Sequence, residues 1–286
     1  MRSYDHLGKV FHDFRTNRNI SLKQIADESV SASQISRFER GETDISVTRF
    51  LKMLDNMHVE VSEFMEAVRG YRKTETIRFM SQLVPLEYKR DITGFQRLFD
   101  EQKELFERNP WVYQYHLNMI LAKSFICKCD DTVPFPREYL DEVTEYLFSV
   151  EEWKIYELIL IGNLYLFMDI PLLHKMGQEI VRAYSRTGAN KRLVIVTLLN
   201  IWETCLHRDE LSIATYYKTC ILHLTADETM LYERNLYHFL SGLQHYKSGE
   251  VELGKQEMAQ AIQIYEWLDC RNLARNYKND VNRYTI

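Results

Sequence analysis

The residues with the most readable chemistry lie in one short segment, residues 31–41. Its sequence is Ser-Ala-Ser-Gln-Ile-Ser-Arg-Phe-Glu-Arg-Gly. If the segment is a helix, Gln34 and Arg37 point away from the face that Ile35 and Phe38 bury. A glutamine amide can bond adenine at two points, and an arginine guanidinium can bond guanine in the same way. The segment can therefore read base edges; the alternative is that both side chains are only solvated.

Capping signals and apolar spacing predict five short helices in residues 1–68. Ser31 and Gln34 form a capping box that begins a helix at Ala32, and Gly41 ends that helix. The other helices are predicted from apolar residues three or four apart: Leu7, Val10, Phe11 and Phe14; Leu22, Ile25 and Ala26 after the cap Ser21; Val47, Phe50, Leu51 and Leu54 after the cap Ser46; and Phe64, Met65 and Val68 near residues 61–68.

This layout, with a tight turn between the second and third helices, resembles the lambda-repressor-like DNA-binding domain over residues 5–68. The matching positions are Ser31, Ser33, Ile35, Ser36, Glu39 and Gly41. In that family the third helix lies in the major groove. The resemblance implies base contacts by Ala32, Ser33, Gln34 and Arg37. We expect phosphate contacts, which set register, from Arg15, Lys23, Ser36 and Arg40.

Composition favours an all-helical protein. Ten glycines and five prolines are few for 286 residues, whereas turns in β-rich folds use many. The net charge is −5, and residues 1–72 contain as many basic as acidic residues. DNA contact therefore requires a local basic face, and the larger remainder has no electrostatic reason to bind DNA.

Compartment is indicated by the cysteines and by the distribution of apolar residues. Five cysteines, none of them in residues 1–126, suit reduced thiols in the cytosol better than a disulfide framework. The sequence shows no signal-peptide pattern and no apolar run of membrane-spanning length. We therefore expect a cytoplasmic protein that does not contact a membrane.

After a polar linker at residues 69–74, residues 75–286 are predicted to form helical pairs. Chain breaks are predicted at 109–110, 130–136, 169–171, 187–190, 207–209, 226–227 and 247–249. The last pair has the spacing of a tetratricopeptide repeat at Gly242, Tyr246, Gly249, Gly254, Met258 and Ala261. The predicted fold is thus all-α: a five-helix helix-turn-helix domain, then a right-handed superhelix of tetratricopeptide-like helical pairs for ligand sensing and dimerisation.

Asparagine recurs within the apolar helices of this region. Asn118, Asn163, Asn200 and Asn235 stand 45, 37 and 35 residues apart, as two-helix repeats would place them. An asparagine amide complements a peptide C=O and N–H pair, and first helices line the concave side of such arrays. The alternative is that each asparagine bonds a neighbouring helix within the core.

Taken together, the chain resembles the Rgg/MutR family of peptide-responsive transcription regulators. The resemblance rests on residues 33–42, Ile45-Ser46, residues 146–153, Tyr156-Glu157, Gly162-Asn163 and Tyr232-Glu233. It implies homodimers, control of promoter DNA, and a short hydrophobic signalling peptide as ligand, as in quorum sensing. It places peptide contacts on the helix of Asn163, on Asn200 and on Tyr232.

The sequence departs from the family where some members carry an arginine that pairs with a peptide carboxylate. Here the corresponding stretch, residues 164–167, is Leu-Tyr-Leu-Phe, without a charge. Arg182 is a candidate substitute. The expected peptide-binding residues are therefore Asn163, Arg182, Asn200, Tyr232 and Asn235.

No enzyme motif is present, and we expect no catalytic residue, cofactor or metal site. Cys127 and Cys129 form a C-x-C pair without a histidine near it in sequence, which is a poor metal signature. The predicted function is regulation of transcription under the control of a bound peptide. The alternative is a DNA-bound scaffold whose helical array grips a protein partner.

Overall fold

The computed structural model describes residues 6–72, 75–130 and 132–284. In order, the α-helices of these residues are α1 (Leu7–Asn17), α2 (Leu22–Ile25), α3 (Ala32–Glu39), α4 (Val47–Asn56), α5 (Val61–Val68), α6 (Glu75–Lys89), α7 (Ile92–Arg108), α8 (Tyr113–Cys129), α9 (Arg137–Ser149), α10 (Ile155–Leu164), α11 (Ile170–Thr187), α12 (Lys191–His207), α13 (Leu211–Leu224), α14 (Leu231–Lys247), α15 (Val251–Trp267) and α16 (Arg271–Tyr284). A short 3-10 turn, Tyr165–Phe167, follows α10. The described residues contain no strand, and the predicted all-α class is confirmed.

The chain divides into two compact units after Arg78, inside α6. The sequence predicted a linker at residues 69–74. Gly70 and Tyr71 have left-handed backbone conformations, which end α5. Lys73 and Thr74 lie outside the described residues.

The first unit has the five helices that capping and spacing predicted. The third helix begins at Ala32, and the Ser31 hydroxyl accepts a hydrogen bond from the Gln34 N–H. Ser46 caps α4 in the same way. The core of this unit consists of buried apolar residues from all five helices and the segments between them: Phe11, Ile25, Val30, Ile35, Phe38, Met53, Leu54, Met57, Val59, Phe64 and Val68.

The buried face of α4 differs from the predicted face. Val47 is 73% exposed and Leu51 is 39% exposed, although both were expected to be buried. Of the predicted residues, Leu54 is buried and Phe50 packs against the same core, while Met53, which was not predicted, is also buried. Two sets of apolar residues on this helix have helical spacing. Only the packing of the neighbouring helices determines which set is buried.

An ion pair joins α1 to α3 and sets the position of the third helix. Arg15 donates hydrogen bonds to both carboxylate oxygens of Glu39, with N–O distances of 2.6 and 2.7 Å, and a third to the Ile20 carbonyl. Burial would raise the pKa of Glu39, but hydrogen bonds from Arg15 and His12 hold it below its usual value. At Gly8, where the same helices touch, a Cβ would lie 1.9 Å from the Phe38 carbonyl oxygen.

In the second unit, helices pack both in pairs and in a row. The pairs α7–α8, α12–α13 and α14–α15 are in extensive contact, while α8, α10, α12 and α14 pack one beside the next. We call these four helices the inner row. Each of them carries one member of the asparagine series.

The last pair, α14–α15, is held together by backbone contact. A Cβ at Gly242 would lie 2.8 Å from the Gly254 carbonyl oxygen, and one at Gly254 would lie 2.5 Å from the Gly242 carbonyl oxygen. Met258 and Ala261 are buried in the same interface. The spacing that predicted a tetratricopeptide-like pair therefore reflects helices that touch where side chains are absent.

The Arg15–Glu39 pair predicts acid sensitivity of the first unit. A carboxylate whose folded pKa is depressed stabilises the fold above its unfolded pKa, near 4.3, and this stabilisation is lost as the pH falls through the folded value. In the full chain, we expect hydrogen-exchange protection of α1 and α3 amides to decline between about pH 5 and pH 3. This decline should be weaker in Glu39→Gln than in the wild type. Asp13→Asn, at an exposed position on α1, is the control; an identical decline in all three proteins would contradict the prediction.

The contact at Gly254 predicts that Gly254→Ala destabilises the second unit. Alanine is the better helix former by about 1 kcal/mol, so helix propensity predicts the opposite sign. We expect the backbone clash to outweigh it, with a net loss of about 1–3 kcal/mol and a Tm lower by several degrees. Thermal unfolding followed by circular dichroism measures this, with the exposed neighbour change Lys255→Ala as control. A higher Tm for Gly254→Ala would show that the helices separate easily.

Candidate DNA interface and ligand groove

The third helix presents a polar surface away from the core. Ile35 is fully buried and Phe38 is 7% exposed, so they attach α3 to its unit. Ser33, Gln34 and Arg37 are exposed on the same helix, and Ala32 is half-buried. The structure thus brings the predicted base-contacting residues together on two turns of one helix, which we call the recognition helix.

Gln34 has a structural role that competes with base reading. Its amide oxygen accepts hydrogen bonds from the Ser31 backbone N–H at 3.0 Å and from the Ser31 hydroxyl at 3.3 Å. A two-point contact with adenine needs that oxygen as well as the amide N–H. The capping box must therefore open before Gln34 can make the contact that its residue type suggested.

Glu42 lies beside both arginines at the end of the recognition helix. Arg40 donates to its carboxylate at 2.5 and 2.9 Å, and to the Ser36 hydroxyl at 2.6 Å. Arg37 is farther away, with its Nε 3.8 Å from the Glu42 carboxylate. Arg37 and Arg40 are each 54% exposed, so solvent or a phosphate can compete for these pairs.

The other expected phosphate contacts are placed unequally. Lys23 is exposed on α2 and is open to a ligand. The Arg15 side chain is only 11% exposed, and its donors are engaged by Glu39 and Ile20. A phosphate contact by Arg15 would require the pair that positions the recognition helix to break.

In the second unit, polar side chains from helices that are far apart in the chain lie near one another. The Lys128 ammonium lies 5.1 Å from the centre of the Tyr165 ring, and Tyr165, Tyr232 and Tyr277 pack against the same core. The charge of Glu203 acts on Lys128, Tyr165, Tyr232 and Tyr277 alike. We call this region the interior groove; its residues are Lys128, Tyr165, Glu203, Tyr232, Tyr277 and Asp280.

The residues of the interior groove are partly shielded from solvent. Burial is the largest cause of each resolved pKa change there: it lowers the pKa of Lys128 and raises the pKa of Tyr165 and Tyr277 well above 10. Burial, assisted by Glu203, also raises the pKa of Asp280 to about 6, although His207, Arg283 and Arg90 oppose the change. A polar group that is shielded from water is strongly stabilised by a hydrogen-bonding or charged partner, and burying it without a partner costs free energy.

The asparagines of the inner row already bond within the protein. Asn200 Nδ2 donates to the Gly162 carbonyl at 2.9 Å, and Asn235 Nδ2 donates to the Ala261 carbonyl at 3.0 Å. Asn163 Nδ2 bonds the Ile159 carbonyl of its own helix at 2.8 Å. Each amide has a second N–H and an oxygen, so these bonds limit a ligand contact without excluding it.

Asn118 has both ends of its amide occupied. Its Nδ2 donates to Gln102 Oε1, and its Oδ1 accepts from the Tyr156 hydroxyl, each at 2.9 Å. The residue is 3% exposed. This first member of the series is therefore a core brace that joins α7, α8 and α10.

The two remaining predicted peptide residues lie in different layers. Tyr232 is in the interior groove. Arg182 lies on α11, outside the inner row, where its side chain is 68% exposed and pairs with Glu179 at 2.7 Å. The structure therefore does not bring Arg182 to the residues of the groove.

Sequence reasoning missed the other groove residues. Lys128 is half-buried near the end of α8, a helix with apolar residues on all sides. The helix carries two lysines, Lys123 and Lys128, and nothing in the sequence distinguishes Lys128. Tyr277 and Asp280 had no signal either, since α16 is strongly polar and only its packing brings one face inward.

Among the described residues, no group of three or more histidine, cysteine or acidic side chains is arranged to hold a metal ion. Burial raises the pKa of both Cys127 and Cys129, which makes these thiols poor nucleophiles. No helix in the described part of the chain is long and apolar enough to cross a membrane.

Both units match families of known proteins. Residues 95–279 match the model of the HTH-type transcriptional regulator Rgg, C-terminal domain, and residues 12–64 match a helix-turn-helix model. The SHP pheromone receptor Rgg2 of Streptococcus dysgalactiae is 28% identical, with a TM-score of 0.79 over 97% of this chain and 99% of that chain.

Two more distant structures share the fold. A putative transcriptional regulator from Listeria monocytogenes is 20% identical, with a TM-score of 0.80 over 98% of this chain and 97% of that chain. ComR from S. thermophilus, solved with DNA and its signalling peptide ComS, is 13% identical, with a TM-score of 0.64 over 98% of this chain and all of that chain. The family match covers more than half of the chain and agrees with the recognition helix and the helical array: the protein belongs to the Rgg family of DNA-binding transcriptional regulators and is not an enzyme.

Proposed function

We propose that this regulator binds promoter DNA through its recognition helix and is controlled by a short, mainly apolar peptide bound in the interior groove. The observation that supports the peptide half is that Tyr165, Tyr232 and Tyr277 are partly exposed and pack against one core, with the Lys128 ammonium 5.1 Å from the Tyr165 ring. Aromatic rings there offer apolar contact area and hydroxyls together. Rgg2 is described as a pheromone receptor, and ComR was solved with a signalling peptide.

For the DNA half, we assign base reading chiefly to Arg37, with Ala32 and Ser33 beside it. Lys23, Ser36 and Arg40 serve phosphates: Lys23 is exposed, and the 54% exposed Arg40, which donates to Ser36, is open to competition from a phosphate. Arg15 instead acts as a positioning residue through Glu39. Gln34 contributes mainly by capping the recognition helix.

For the peptide half, we assign backbone contacts to Asn163 and Asn200 through their remaining donor and acceptor groups. Asn200 stands three residues before Glu203 on α12, so both lie on the face that borders the interior groove. Asn235 is only 7% exposed and bonds α15, which suits a brace better than a contact. Arg182 has no part in this site.

We further propose that the protein acts in the cytoplasm as a homodimer whose main contacts lie in the helical array. One small helix-turn-helix domain rarely holds a half-site tightly enough without a second copy. A peptide that prefers one arrangement of the array would change the spacing of the two recognition helices, which is the coupling that control of DNA binding requires.

Arg37→Ala tests the base-reading assignment. We expect a loss of about 1–3 kcal/mol on the preferred site, the range for one bidentate base contact, and little loss on random DNA. The preferred site is first selected from a randomised duplex pool with the wild-type chain. Competition binding at two salt concentrations then separates specificity from phosphate attraction. Arg18→Ala, at an exposed arginine paired with Glu63, is the matched control. An equal loss on both DNAs would mean that Arg37 holds a phosphate.

Asn200→Ala and Asn118→Ala together test the peptide site. The probe is the tightest binder that the wild-type chain retains from a pool of synthetic apolar octapeptides. We expect Asn200→Ala to raise the peptide Kd roughly tenfold or more, because a peptide group in the groove loses its partner. Asn118→Ala should lower Tm without changing the peptide Kd, since both ends of its amide bond the core.

Fluorescence anisotropy with labelled peptide and labelled DNA measures both halves of this prediction. DNA binding in the absence of peptide should be unchanged in both variants. If Asn200→Ala lowers Tm but binds peptide normally, the asparagines are only braces between helices. If the wild-type chain retains no peptide from the pool, the sensing proposal is wrong and a protein-binding scaffold becomes the better reading.

A further inference from the structure

An open cleft of about 560 Å³ lies between the end of α15 and one face of α16. Glu266 lines it from α15, and the α16 residues that line it are Arg271, Ala274, Arg275, Lys278, Asn279 and Asn282. These positions are three or four apart, so they form one stripe along about three turns of the helix. By the same periodicity, Tyr277 and Asp280 of the interior groove lie on the opposite side of α16, and the cleft is a separate surface.

The cleft is basic, although the protein has a net charge of −5. Its lining contains three cationic side chains and one carboxylate, and Lys278 is paired with that carboxylate, Glu266, at 2.5 Å. Arg271 pairs with Asp269, and both side chains are so exposed that the pair contributes little. Arg275 donates to an asparagine amide and forms no ion pair within the described residues. Arg271 and Arg275 are therefore available to an anionic partner.

Asn279 and Asn282 continue the stripe with uncharged polar groups. Both side chains are exposed, and neither amide has a hydrogen-bond partner in the part of the chain that the structure describes. An asparagine amide offers two donors and an acceptor, the complement of a peptide C=O and N–H pair. The stripe thus presents guanidinium groups that suit carboxylates, followed by amides that suit a peptide backbone.

Large apolar side chains are exposed at the same end of α15. Trp267 is 74% exposed and Leu268 is 62% exposed, and both lie where the chain passes from α15 to α16. Tryptophan and arginine are the residue types most enriched among the residues that dominate protein–protein binding energy. A segment that binds in the cleft can therefore place an apolar residue on this pair.

A nucleic acid suits the cleft less well than an acidic peptide does. Its described lining includes no aromatic ring on which a base could stack. Glu266 lines the cleft and Asp269 lies beside Arg271, so a continuous row of phosphates would meet two carboxylates. A peptide can place uncharged residues opposite those carboxylates and acidic residues opposite the arginines.

We propose that the cleft between α15 and α16 docks an acidic segment of another protein. Arg271 and Arg275 bind carboxylates of the segment, Asn279 and Asn282 bind its backbone, and an apolar residue of the segment packs on Trp267. This docking does not depend on the proposed peptide sensing, because the cleft and the interior groove lie on opposite sides of α16. It gives the regulator a protein partner in addition to DNA and a peptide.

The test compares two pools of synthetic dodecapeptides built from leucine, serine and glycine, with four fixed glutamates in one pool and four glutamines in the other. Full-length wild type, Arg275→Glu, Arg275→Lys, Trp267→Ala and Arg108→Glu are incubated with each pool at low and high salt. Retained peptides are quantified by mass spectrometry. Arg108→Glu is the matched control, because Arg108 is a 67% exposed arginine that pairs with Glu104 on α7.

We expect wild type and Arg108→Glu to bind the glutamate pool roughly tenfold or more tightly than the glutamine pool. This preference should shrink at high salt, because exposed charges are screened. Arg275→Glu should lose the preference, and Arg275→Lys should keep most of it because it keeps the charge. Trp267→Ala should weaken the binding of both pools alike, since it removes an apolar contact. The Tm of every variant should match that of wild type, because these side chains lie at the surface.

Three results would overturn the proposal, and each identifies a different role for the stripe. If wild type shows no preference for the glutamate pool, or if Arg275→Glu keeps it, α16 is only the polar end of the array. If Arg275→Glu lowers the affinity for random duplex DNA, the arginines serve phosphates. If Arg275→Glu changes the sedimentation of the chain without peptide, a second copy of the chain occupies the cleft.

Discussion

The helical array depends on how closely the helices of its inner row approach one another. Asn200 on α12 reaches the Gly162 carbonyl on α10 at 2.9 Å. This is possible because Gly162 has no side chain: a Cβ there would lie 3.0 Å from Thr197 Oγ1. A larger residue at position 162 would separate the helices and leave the asparagine amide without its partner. Close approach therefore determines which polar groups are enclosed between helices and must be satisfied there.

This constraint also decides which polar groups remain for a ligand. Side chains between packed helices, such as Asn118, already form hydrogen bonds within the protein. Lys128 and Glu203, near the ends of α8 and α12, are only partly buried. The first unit follows the same division. The Arg15–Glu39 pair holds two helices together, and the outward side of the recognition helix keeps Arg37 for another molecule.

Many helix boundaries could be predicted because their causes are local. The capping box of Ser31, and the cap at Ser46, place the starts of α3 and α4 correctly. Each chain break predicted beyond residue 75 lies at an observed helix boundary, although some include a terminal residue or two of a helix, such as Ile170 and Pro171 of α11, and Asp131 lies outside the described residues. Three further boundaries, after α6, α9 and α15, were missed. At two of these the chain turns through a residue with left-handed backbone conformation that is not glycine, Arg90 or Asp269. The sequence therefore has no glycine there to indicate a turn.

The sequence by itself determined the helical class, the recognition helix and the family, since these depend on spacing within one or two turns and on short motifs. Only the tertiary structure showed that Arg15 is engaged by Glu39 and that Asn200 bonds the next helix. Only the tertiary structure placed Lys128 beside Tyr165. The physical reason is that helical periodicity gives the face on which a side chain lies, whereas the partner it meets depends on the packing of helices far apart in the chain.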